Sequence, residues 1–126
     1  MKGLSLVLFV LLASNSLIAQ GSPATVTLRG YVVDALCGAA MAGKPSAMAR
    51  AARHTRRCAL DENCAAAGYG IISDGKWVKF DAKGDALAKA AITASKRERG
   101  HYFEVKGSMS GDLFSAVSLK ESSPKK

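Results

Sequence analysis

Aromatic side chains are scarce in this chain, at 6% of its 126 residues, and it has only three prolines, two histidines and one tryptophan. Tyr31, Tyr69, Trp77 and Tyr102 are the candidate stacking platforms. So few rings argue against a single-strand nucleic-acid surface built by base stacking. There is no CxxC pair, no internal repeat, and no glycine pattern that matches a phosphate loop. Past the N-terminal segment no apolar run approaches the roughly 20 residues of a membrane helix. Acidic side chains are also few, 10 against 18 Lys and Arg, for a formal net charge of +8. That excess suits an anionic partner or simple solubility, because Lys76, Lys79, Lys89 and the lysines from Lys120 onward are scattered.

What is present begins with an export signal. Lys2 precedes an apolar run from Leu4 to Ala13, broken only by Ser5. Ser14-Asn15-Ser16 then leads to Leu17-Ile18-Ala19, a signal-peptidase site ending at residue 19. No cysteine follows that position, which disfavours a lipid anchor. The expectation is an exported protein, periplasmic or secreted. Its single domain spans residues 20–120 and is followed by a frayed, disordered tail over 121–126.

Hydrophobic periodicity predicts a mainly β scaffold. Thr25 to Asp34 alternates as a strand, interrupted by Gly30, where a bend is expected. Tyr69–Ile72 and Trp77–Phe80 flank Asp74-Gly75, a hairpin turn signal. A helix capped by Asp85 runs to about Ser95, and strands follow at Tyr102–Gly107 and Leu113–Leu119. His101, beside Gly100 at a strand start, reads as a surface residue. The order fits a five-stranded OB-like Greek-key barrel with two helices and a helical insert between strands 1 and 2. The alternative is an open α+β sheet.

The chemistry concentrates in that insert. It holds all three cysteines, Cys37, Cys58 and Cys64, together with His54 and the arginines Arg50, Arg53, Arg56 and Arg57. Gly38 to Pro45 reads as a small-residue loop after Cys37, and Ser46 caps a helix over Ala47–Ala59. On such a helix His54 and Cys58, four apart, share a face. Three thiols and an imidazole match a tetrahedral Cys3His set, and soft thiolates favour zinc or copper. Met41 adds a thioether suited to copper. A single disulfide with a spare thiol is the competing reading, and sequence spacing allows any of the three pairings. The arginines are candidates for gripping an anionic ligand. A Cys58–His54 nucleophile pair is conceivable, but no orienting carboxylate or oxyanion loop is evident, so an enzyme is not the expected reading.

Gly30-Tyr31-Val32-Val33-Asp34 before Cys37, His54-Thr55-Arg56-Arg57-Cys58-Ala59-Leu60, Cys64 and Gly68-Tyr69-Gly70-Ile71 extend over much of the domain. With Asp74-Gly75-Lys76 and Phe80-Asp81 they resemble the signature of small exported bacterial OB-like proteins of uncharacterised function. The resemblance implies that the cysteines and His54 belong to that signature, and it implies no activity. Two functions follow as expectations. One is a non-enzymatic domain binding zinc or copper through Cys37, His54, Cys58 and Cys64. The other is a disulfide-stapled module whose arginine face binds an anionic partner, with nucleic acid disfavoured.

Overall fold

Strand β1 (Val26–Asp34) bends at Gly30 and pairs with a different neighbour on each side of the bend. In the computed structural model, which describes residues 24–126, its first half pairs with β4 (Tyr102–Ser110) and its second half with β2 (Tyr69–Ser73). Gly30 allows this crowding: a Cβ there would lie 2.1 Å from the Ile72 carbonyl oxygen. β2 turns through Asp74-Gly75, both at positive φ, into β3 (Lys76–Phe80), as the hairpin signal predicts. β3 meets β5 (Leu113–Glu121) in parallel, and β5 returns to β4. The five strands thus close a ring in the order β1-β2-β3-β5-β4, which replaces the open-sheet alternative. The expected export segment lies outside the described residues. No described helix is long and apolar enough to cross a membrane.

Alternation along the strands builds two cores. Val32, Tyr69, Ile71, Phe80, Phe103, Val105 and Phe114 pack on one side of the sheet with Ala88 and Ile92 of helix α5 (Ala82–Ala94). Their neighbours Val33 and Ile72 face the opposite way and form a second cluster with Met41, Ala47 and Ala51 of the insert. β2 is therefore buried on both faces, which explains its unbroken apolar run. Trp77 seats the insert on the sheet. Cβ atoms at Gly38 and Gly70 would lie 2.2 Å and 2.5 Å from its ring.

The insert departs most from expectation. Among the described residues there are five helices, not two: α1 (Ala35–Met41), α2 (Ala47–Ala51), α3 (Arg56–Leu60), α4 (Glu62–Ala66) and α5. Asp34 caps α1, so Cys37 lies in a helix rather than before a loop. The single helix expected over 47–59 breaks between Ala52 and Thr55. Thr55 adopts an extended backbone and caps α3, accepting from the Cys58 N–H. The break is tied down from outside: Gly100 N–H donates to the His54 carbonyl and Arg56 N–H to the Glu98 carbonyl. Tertiary backbone pairing outweighs continued helix here, so His54 and Cys58 do not share a helical face. Asp81, not Asp85, caps α5; Asp85 instead pairs with Lys79 and accepts from the Tyr69 N–H. His101 is buried, not at the surface, its Nε2 bonded to the Arg97 carbonyl. At the C-terminus β5 includes Glu121, while Ser122 and Ser123 bond Tyr102 and Arg97.

Candidate metal centre

Two of the short helices aim their first turns at one point. Cys37 is the third residue of α1 and Cys58 the third residue of α3, and each donates its N–H to the residue capping its own helix. These caps fix both cysteine backbones. The Tyr69 hydroxyl anchors α3 to the sheet, donating to the Ala59 carbonyl at 2.7 Å. Arg56 adds a second anchor, its guanidinium on the Ser95 carbonyl and Glu98.

The result is a cluster of Asp34, Cys37, His54 and Cys58, with one ligand atom from each lying within 4.8 Å of all the others. The Cys37 and Cys58 sulfurs stand 3.8 Å apart. His54 Nε2 meets Asp34 Oδ2 at 2.8 Å, and the Cys37 N–H meets Asp34 Oδ1 at 2.9 Å. Asp34 is fully buried and His54 nearly so, while the two cysteines are half-buried. His54 Nδ1 is buried without a hydrogen-bond partner.

Burial, hydrogen bonds and the Asp34 charge set the electrostatics of this cluster. Burial by itself raises the Asp34 carboxyl, but the hydrogen bonds from His54 and the Cys37 N–H outweigh it and leave it below the ordinary value. Burial and then the Asp34 charge push the Cys37 thiol up to about 12. A bound cation reverses this logic, since it stabilises carboxylate and thiolate together. The raised value belongs to Cys37; for the Cys58–His54 pair the sequence shows no carboxylate to orient His54, and in the fold Asp34 is one.

Of the four ligands expected from sequence, Cys37, His54 and Cys58 come together. Cys64, half-buried on α4, is not in the described cluster, and Asp34 stands in its place. Cys64 is nevertheless close: burial, then the charges of Asp34, Cys58 and Asp61, push its thiol up to about 11. All three cysteines are thiols, and 3.8 Å is well beyond a disulfide length of about 2.05 Å. Met41 packs in the apolar cluster with Val33 and Ile72. Arg56 is committed to Glu98, and among the described residues Arg50, Arg53 and Arg57 form no ion pair.

Asp34 was missed because it reads as the last residue of a strand. The available signal was an Asp followed by Ala35 and Leu36, an N-cap before helix formers. A separate groove of about 750 Å³, lined in part by the edge-on Tyr31–Tyr102 pair, Arg29 and Met48, includes none of the cluster residues. No protein-family model matches this chain, and neither a curated protein nor a solved structure shows significant similarity to it.

Proposed function

We propose that this chain is an exported, non-enzymatic OB-like domain that holds one transition-metal ion between α1 and α3, in the cluster of Asp34, Cys37, His54 and Cys58. The observation that carries the proposal is the sulfur separation of 3.8 Å. A tetrahedral ion with metal–sulfur bonds of about 2.3 Å has a sulfur–sulfur edge of about 3.8 Å. The apposition of two thiols, an imidazole and a carboxylate in a largely buried site supports the same reading. Two sulfurs and one nitrogen beside a carboxylate suit zinc(II), with copper(I) the competitor for the thiolates. The ring order and the helix between β3 and β4 support the OB-like assignment. Export rests on the apolar N-terminal run and its small-residue site.

Titrating the reduced protein with zinc(II) and copper(I) tests the proposal. Stoichiometric binding is expected in the natural chain and its loss in a Cys58→Ser, His54→Ala double variant. Equal affinity in the double variant rules the site out.

A further inference from the structure

We infer that His54 binds the ion through Nδ1, and that Asp34 is a positioning residue that stays outside the coordination shell. This inference rests on the metal-site reading above and assigns its atoms. Both Asp34 oxygens are already engaged, Oδ1 by the Cys37 N–H at 2.9 Å and Oδ2 by His54 Nε2 at 2.8 Å. An ionised carboxylate only accepts, so Nε2 carries the proton. The neutral ring then has a bare lone pair on Nδ1, and that atom is buried with no partner. A cation satisfies it, whereas a proton there would be a buried donor with no acceptor.

Distance leads to the same assignment. If Nε2 and Oδ2 both bound one tetrahedral ion at about 2.0–2.1 Å, they would be roughly 3.3 Å apart. The observed 2.8 Å is a hydrogen bond. A carboxylate that fixes the tautomer and ring orientation of a metal-binding histidine through its other nitrogen is a general device for raising ligand basicity. His101 provides the contrast. Its Nδ1 is also buried and unpartnered, but it is outside the described cluster, so nothing there recruits an ion. Two sulfurs and Nδ1 leave one position of a four-coordinate ion to a group other than Asp34.

The test is nitrogen-15 NMR of the histidine side chains in the full reduced chain, without and with zinc(II). The Nε2–H tautomer is expected in the metal-free protein, and zinc is expected to move the Nδ1 resonance. X-ray absorption of the zinc-loaded Asp34→Asn variant is the second arm. That variant, whose amide keeps only one acceptor oxygen, should keep both sulfur ligands and lose no oxygen ligand, while affinity falls by roughly 10–100-fold. Zinc on Nε2 overturns the assignment, as does loss of an oxygen ligand in Asp34→Asn. If that variant does not fold, the NMR of the natural chain decides alone. Failure of the natural chain to take up zinc overturns the underlying metal reading instead, and the metal-free tautomer tells the two failures apart.

Discussion

Cys37 and Cys58 lie 21 positions apart in the chain, and their sulfurs are 3.8 Å apart in the fold. α1 delivers the first from the end of β1, and α3 delivers the second from a break that is hydrogen-bonded to residues 98 and 100. An ion held by both sulfurs would tie these two segments together, so its binding would also stabilise the fold.

Zinc is therefore expected to stabilise the fold. At a free concentration 100 times Kd the gain is about 2.7 kcal/mol. For a domain of this size that raises Tm by roughly 10 °C or more. Calorimetry with and without zinc reads it, and a chelator should return the original Tm. The Cys58→Ser, His54→Ala variant should show no shift.

Oxidation should compete with metal. With a disulfide such as oxidised glutathione, the Cys37 and Cys58 thiols form one bond between them, and the reagent leaves as two thiols. The sulfurs need to close from 3.8 Å to about 2.05 Å. Peptide mapping is expected to find a Cys37–Cys58 bridge in metal-free protein and three alkylatable cysteines after reduction. Prior zinc loading should slow the oxidation, and equal rates with and without zinc would count against shared ligands.

Gly38→Ala should loosen the insert from the sheet. The new Cβ would lie 2.2 Å from the Trp77 ring. Overpacking of this kind costs about 1–3 kcal/mol. Denaturant unfolding gives the loss. Because Trp77 is the sole tryptophan, its fluorescence reports the local change directly.

Thr55→Ala removes the cap that fixes Cys58, whose N–H donates to the Thr55 hydroxyl at 3.1 Å. A loss of about 1 kcal/mol is expected, together with weaker zinc binding. Parallel denaturation and titration check both.

Stability should fall as pH drops below about 6.5, partly through His101. Burial, foremost, holds its folded-state pKa below 6.5; the Arg97 carbonyl and Glu121 only partly restore it. The unfolded chain therefore binds the proton first, so the neutral-ring stability present above 6.5 is lost progressively as pH falls toward the folded value. A His101→Gln variant should show a flatter pH dependence between pH 7 and 5 in denaturant midpoints.

Much of the scaffold could be read from residue order. The bend at Gly30, the Asp74-Gly75 hairpin and the placing of β2 and β3 on either side of it follow from local chemistry and turn residues. The insert was less legible. Its small apolar residues suit one helix or several, and only the pairing of His54 and Arg56 with residues 98 and 100 decides for a break. His101 was misplaced because burial of a single side chain beside a turn depends on what packs over it.

By itself the sequence determined which atoms are available for chemistry: three thiols, one imidazole within the insert, and an excess of positive charge. It also determined the strands, since alternation and turn residues act over a few positions. Only the tertiary structure chose Asp34 over Cys64 for the described cluster. That choice depends on where α1 leaves β1 and where α3 begins, and those positions are set by contacts between segments far apart in the chain.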